Sequence, residues 1–163
     1  MFEESNHPKI SVLIPVYNVE KYVRRCLFSV LNQTMQEGVE VIIVNDCTPD
    51  HSMEEIFEAL RAYSGNERGE KMSVRVVNHD TNHGLAVVRN TAMNYATGDY
   101  VIHVDSDDWI EPDMLEKLYA CAMDTKADIV CCNISLEYKS RQENLCYPYK
   151  EEQYKDLLYI DVL

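Results

Sequence analysis

Apolar and polar positions along this chain fall into alternating blocks. Short β-branched runs give way to stretches with the 3.6-residue helical period. Residues 10–16 form the first such run and read as a strand. Pro15 is placed to stop it by withholding a backbone donor, and Asn18 to cap the helix that follows. In that helix Tyr22, Cys26 and Val30 share one face, with Val23, Leu27 and Leu31 alongside. Gly38 closes the connection to a second strand over 39–45. A second helix is predicted from Thr48-Pro49 or Ser52 to about Tyr63, with Met53, Ile56, Phe57 and Leu60 apolar. Proline suits a first helical position, and Ser52 and Glu55 have capping-box spacing. After a polar loop over 64–70 come a strand over 73–78, a helix over 85–96 ended by Gly98, and a strand over 99–104. A helix from Pro112 to about Met123, a strand over 127–134 and an amphipathic helix over 149–159 complete the series.

Strands that alternate with helices predict an α/β fold: a mainly parallel open sheet flanked by helices on both faces. The 163 residues suit one domain, and neither an internal repeat nor a linker interrupts them. With 46% hydrophobic and 26% charged residues the chain is neither disordered nor membrane-spanning, and no apolar run is long enough to cross a bilayer. A formal charge of −13 argues against nucleic acid or anionic lipid as direct partner. The first residues lack the character of a signal peptide, and the six cysteines form no Cys-x-x-Cys pair. Reduced, structural thiols in a cytoplasmic setting are therefore expected, with Cys131 and Cys132 buried in their apolar run.

Chemistry concentrates at Tyr100-Val101-Ile102-His103-Val104-Asp105-Ser106-Asp107-Asp108, where an apolar strand ends in three carboxylates. Acids beyond a strand's carboxyl end lie where open α/β sheets bind ligands. Such a cluster repels itself unless a cation neutralises it, and oxygen ligands suit Mg²⁺ or Mn²⁺, which keep room for substrate phosphate. A solvated acidic loop capping the next helix is the plainer alternative. Dinucleotide binding of the Rossmann type is disfavoured, because the turn after the first strand, Pro15-Val16-Tyr17-Asn18-Val19-Glu20, contains no glycine.

Four segments together resemble the family 2 glycosyltransferases, which have the GT-A fold. They are Ser11-Val12-Leu13-Ile14-Pro15-Val16-Tyr17-Asn18, Val41-Ile42-Ile43-Val44-Asn45-Asp46, Asn82-His83-Gly84-Leu85-Ala86-Val87-Val88-Arg89-Asn90 and Asp105-Ser106-Asp107-Asp108. The resemblance covers about residues 10–115, a nucleotide-sugar-binding core, and leaves 116–163 as the start of an acceptor side or a C-terminal extension. It implies a nucleotide-diphosphate sugar donor, most plausibly a uridine one, and transfer with inversion to a carbohydrate or lipid-linked acceptor hydroxyl in polysaccharide or glycan synthesis. A cytoplasmic setting, at the inner face of the membrane, goes with that role. By the same resemblance Pro15 and Tyr17 line the base and ribose pocket, and Asp46 accepts the uracil N–H. Arg89 reaches the uracil or the diphosphate, Asp105 contacts the ribose, and Asp107 holds the metal. Asp108 is a cap or lies behind the ligands. The family often has glycine where Cys47 stands.

Inverting transfer needs a general base, and the family's acidic residue beyond the Asp-x-Asp segment has no convincing counterpart here. Glu151, Glu152 and Asp156 are available acids, but they fit the solvated face of the amphipathic stretch. The catalytic base is unassigned, and the chain reads as a donor-binding portion. Three classes stay open: a metal-dependent glycosyltransferase, a nucleotide-sugar-binding module without transfer, and an assembly domain. The tyrosines and leucines of 135–163 predict self-association, most simply a homodimer, through the C-terminal region.

Overall fold

The structure, a computed structural model, describes residues 7–63, 72–138 and 141–145. The chain runs β1 (Ile10–Val16), α1 (Val23–Leu31), β2 (Val39–Asn45), α2 (Ser52–Ala62), β3 (Ser73–Asn78), α3 (Leu85–Tyr95), β4 (Tyr100–His103), α4 (Met114–Thr125), β5 (Ile134–Tyr138) and β6 (Arg141–Leu145). The first four strands form one parallel sheet in the order β3-β2-β1-β4. The chain therefore builds outward from β1 to β3, then crosses back to lay β4 on the other side of β1. The crevice between the carboxyl ends of β1 and β4 is the topological switch point, where such sheets bind ligands.

Strand alternation sorts the core into two layers. Ile10, Val12, Ile14 and Val16 of β1 join Val39, Val41 and Ile43 of β2 beneath α1, α2 and Leu115 of α4. Leu13 faces the other way, with Ile42 and Val44, against Val88 and Ala92 of α3. Both faces are thus covered, as a parallel sheet requires. Gly98 is fixed by close approach, since a Cβ there would lie 2.7 Å from the backbone nitrogen of Ser11.

Several expectations need correction. Pro15 does not end β1, which continues through Val16 in register with Asn45. The Leu13 carbonyl points at β4, where it accepts the Val104 N–H. Pro15, two residues on, presents its missing donor to the same side, beyond the end of that short strand. Asn18 is no helix cap: it adopts φ 57°, and α1 begins only at Val23. Tyr22 precedes the helix and is exposed, whereas Cys26, Val30, Val23, Leu27 and Leu31 are buried. The capping box at Ser52 does not form either, because Ser52 Oγ donates to Asp50.

The run 127–134 is not a strand. It leaves α4 without strand pairing as far as residue 133, and pairing begins at Ile134, antiparallel to β6. Cys131 and Cys132 are exposed, as are Cys47 and Cys121, and Cys26 is the buried cysteine among the described residues. A local run of β-branched residues supplies strand propensity but no hydrogen-bonding neighbour, and among the described residues β4 pairs only with β1. The helix expected over 149–159, its acids and the self-association surface lie outside the described residues apart from β5 and β6. No helix among the described residues is long and apolar enough to cross a membrane.

Candidate functional site

Tyr17 stands at the carboxyl end of β1 with 47% of its surface exposed, on the rim of the crevice. Pro15, expected beside it in the pocket wall, is buried within the strand and offers no surface to a ligand. Across the crevice the chain leaves β4 through Val104 into the acidic loop, where the Asp108 N–H donates to the Asp105 carbonyl and closes a tight turn. Ser106 is buried while Asp107 and Asp108 face solvent. Partial burial, then the charges of Asp107 and Asp105, push the Asp108 carboxyl above its ordinary value. Burial, and then the same three acids, push the Cys26 thiol beneath the loop up to about 12, so it stays neutral and donates to the Asp105 carbonyl.

Arg89 answers this negative charge. Gly84 starts α3 with φ 84° and ψ 161°, a backbone conformation essentially confined to glycine. One turn on, Arg89 donates from Nη2 to Asp105 Oδ1 at 2.9 Å. Its Nε is the one buried side-chain polar atom without a partner among the described residues. Partial desolvation and the Arg89 charge hold His103 below its ordinary value, against a smaller opposing pull from Asp105.

Asp46 lies at the end of β2 but is only 2% exposed. Its Oδ1 accepts the His83 N–H at 2.9 Å and lies 2.8 Å from His79 Nδ1, and its Oδ2 accepts the Gly84 N–H at 2.7 Å. His79 Nε2 is in turn 2.9 Å from Thr91 Oγ1. Burial alone would raise the Asp46 carboxyl, yet the donors from His83, His79 and Gly84 hold it below the usual range. The carboxylate is therefore occupied by its own chain. The direct uracil contact expected of it does not fit this geometry, and its visible work is to fasten the loop that launches α3.

A second set of side chains comes from the stretch 48–52, which the sequence offered as the start of a helix. The N–H groups of Asn18, Val19 and Glu20 are captured by Thr48 Oγ1, Ser52 Oγ and Asp50 Oδ2. Asp50 Oδ1 also accepts the hydroxyls of Thr48 and Ser52 and the Ser52 N–H. Burial would raise this carboxyl, but the Ser52 and Thr48 hydroxyls and two backbone donors bring it down to about 2. The loop carrying Tyr17 is thereby tied to the start of α2. Cys47, at the position where glycine is common, adopts φ 56° and gives that loop the left-handed turn regardless.

With this geometry in place the comparisons decide the family. The glycosyl transferase family 2 profile matches residues 11–154. The chain belongs to that family. It is 38% identical over 150 residues to EpsH of Bacillus subtilis (strain 168), assigned as a glycosyltransferase, covering 89% of this chain and 40% of EpsH. It is 41% identical over 126 residues to the glycosyltransferase GlyA of Streptococcus pneumoniae, covering 77% of this chain and 16% of GlyA. The crystal structure of S. aureus TarS 1-349 in complex with UDP-GlcNAc superposes with TM-score 0.64 at 33% identity, over 74% of this chain and 32% of that 1-349 chain. The four-stranded parallel sheet with helices on both faces is thus the GT-A type of fold. The chain spans well under half the length of these family members.

The acidic loop fits a hard divalent ion on its own evidence. Asp107 and Asp108 are adjacent exposed carboxylates, the second raised by partial burial and then by the charges of Asp107 and Asp105, and such an ion takes one or two protein carboxylates. Among the described residues Arg89 is paired with Asp105 alone, and no group of three metal-ligating side chains gathers. The structure thus pairs Arg89 with Asp105, leaves Tyr17 and Asp107 exposed at the carboxyl ends of β1 and β4, and buries Pro15 and Asp46.

Proposed function

We propose that this chain is the nucleotide-sugar-binding part of an inverting glycosyltransferase that takes a uridine diphosphate sugar and serves polysaccharide or glycan synthesis. Residues 10–115 form the donor core of a single domain whose acceptor side starts within 116–163. The observation that carries this is Arg89, whose Nε is buried and unpaired at the switch point beside the acidic loop. A guanidinium left one bond short there suits a diphosphate, which accepts planar paired donors. The UDP-GlcNAc complex of a family member with this fold favours uridine as the nucleoside.

In this reading Tyr17 stacks on the base or ribose, Asp105 accepts ribose hydroxyls, and Asp107 with Asp108 holds Mg²⁺ or Mn²⁺. When bound, the ion supplies Lewis-acid charge to the departing diphosphate. Arg89 orients the phosphates, and Asp46 keeps α3 at the right height for it. The acceptor is a carbohydrate or lipid-linked hydroxyl, and its general base is unassigned.

Calorimetry with uridine diphosphate, with and without Mn²⁺, tests the reading, followed by release of uridine diphosphate from UDP-GlcNAc. Metal-dependent binding and release support it. Absence of binding would leave an assembly domain. Binding without transfer would make the chain a nucleotide-sugar-binding module.

A further inference from the structure

The acidic loop is short, partly exposed and self-repelling, so something must hold it in one shape. The hydrogen bonds identify α1 and the turn after it. Cys26 and Ser29 lie one turn apart on one face of α1, and Gln33 follows in the turn beyond the C-cap Asn32. From these positions Cys26 Sγ donates to the Asp105 carbonyl, Ser29 Oγ accepts the Ile110 N–H, and Gln33 Nε2 donates to the Glu111 carbonyl at 2.6 Å. Gln33 Oε1 accepts the Leu115 N–H at 3.0 Å, and the Thr34 N–H donates to the Pro112 carbonyl. Arg25, at the other end, stacks on Trp109 with its guanidinium carbon 3.1 Å from the ring centroid. The helix thus grips the chain from the acidic motif to the first turn of α4.

We propose that Gln33 is a positioning residue for the acidic loop, acting through the main chain of Glu111 and Leu115. It is 2% exposed, and its remaining donor contact goes to the Ser29 carbonyl. A buried amide with its donors and acceptor all engaged is costly to keep merely as filler, since an apolar side chain of that size avoids the desolvation. The two main-chain bonds span the Glu111–Leu115 turn and fix where the loop's downstream end attaches. With Cys26 holding the upstream end at Asp105, the carboxylates of Asp107 and Asp108 are suspended between two anchors. The link to a cation and a diphosphate rests on the function proposed above, whereas the anchoring of the loop does not.

The protein reports on this by itself, because Trp109 is its single tryptophan and follows Asp108 directly. Gln33→Met keeps the volume and removes the polar contacts, and Ser29→Ala removes one anchor more gently should the first variant fold poorly. Ser11→Ala, near the amino end of the central strand β1, serves as a control for general destabilisation. Without any ligand, Gln33→Met and Ser29→Ala are both expected to lower Trp109 fluorescence anisotropy and increase its quenching by acrylamide, while Ser11→Ala leaves both unchanged. With Mn²⁺, uridine diphosphate affinity is expected to fall about tenfold in Gln33→Met, the equivalent of one main-chain hydrogen bond, and to be preserved without metal. Unchanged Trp109 signals in folded Gln33→Met and Ser29→Ala, with only a lower melting temperature, would overturn the proposal. If the parent chain binds no uridine diphosphate, the functional reading fails, and the ligand-free signals still judge the anchor.

Discussion

Arg89 and Asp105 form a 2.9 Å ion pair that joins the first turns of α3 to the acidic loop beyond β4. The side chains are 29% and 41% exposed, so the pair itself adds little to stability, below about 1 kcal/mol in solvent-screened surroundings. Arg89→Met should therefore barely shift the melting temperature. It should weaken uridine diphosphate binding by about 1.5–3 kcal/mol, the range for hydrogen bonds to charged groups. Titration calorimetry beside a thermal melt separates the two effects. Equal losses in both would make Arg89 a structural residue.

Asp107 faces solvent with no partner assigned among the described contacts, so Asp107→Asn should leave folding intact. Binding of uridine diphosphate in Mn²⁺ should weaken by about 1.5–3 kcal/mol, and metal-free binding should stay the same. Equal affinity of parent and variant across a Mn²⁺ series would remove Asp107 from the metal site.

The position of Asp46 changes what its removal should do. Asp46→Ala removes the acceptor of the part-buried His83 and Gly84 N–H groups and of the His79 ring, at a total cost of about 1–3 kcal/mol. A marked fall in urea midpoint is expected, with binding of uridine and cytidine diphosphates reduced alike. Selective loss of uridine affinity in a variant of unchanged stability would return Asp46 to direct base contact.

Sequence pattern carried the sheet far because each of β1 to β4 is an apolar run bounded by helical periodicity, and each was placed within a residue or two. It failed at 127–134 because burial of a strand depends on an edge offered elsewhere. Among the described residues one edge of β4 stays unpaired, yet 127–133 forms no ladder with it, and Ile129 is 54% exposed. The placement of Asp46 at a strand end was legible, but its donors come from residues 79 to 84 across a strand and a loop. The Thr48, Asp50 and Ser52 clamp was hidden for the same reason. Its partners are backbone N–H groups, which leave no mark on the sequence that names them.

Asp50 gives a pH signature. Its folded carboxyl sits at about 2, below its ordinary value of 3.8, through the donors at Ser52, Thr48 and Glu20. A depressed acid stabilises the fold above the unfolded value and loses that contribution as pH falls through the folded one. Stability should thus decline between about pH 4 and pH 2, by roughly 1–2 kcal/mol from this residue after allowance for its partial exposure. Asp50→Asn should be less stable at neutral pH and show a shallower acid limb in denaturant melts. An acid limb as steep as the parent's would assign the effect to other carboxylates.

Cys47 supplies a test in the opposite direction. It holds φ 56° on an exposed surface, immediately after Asp46. A left-handed backbone costs a residue with a Cβ about 1–2 kcal/mol, and glycine escapes that strain. Part of the gain is offset because glycine enlarges the unfolded ensemble, by about 0.4–1 kcal/mol. Cys47→Gly should therefore raise stability by about 0.5–1 kcal/mol, while Cys47→Ala, which keeps the Cβ, should not. The backbone already has the glycine-like turn, so uridine diphosphate affinity should be the same in the parent and Cys47→Gly. A stabilised variant with altered affinity would mean that the Cys47 side chain, rather than the turn, shapes the nucleotide pocket.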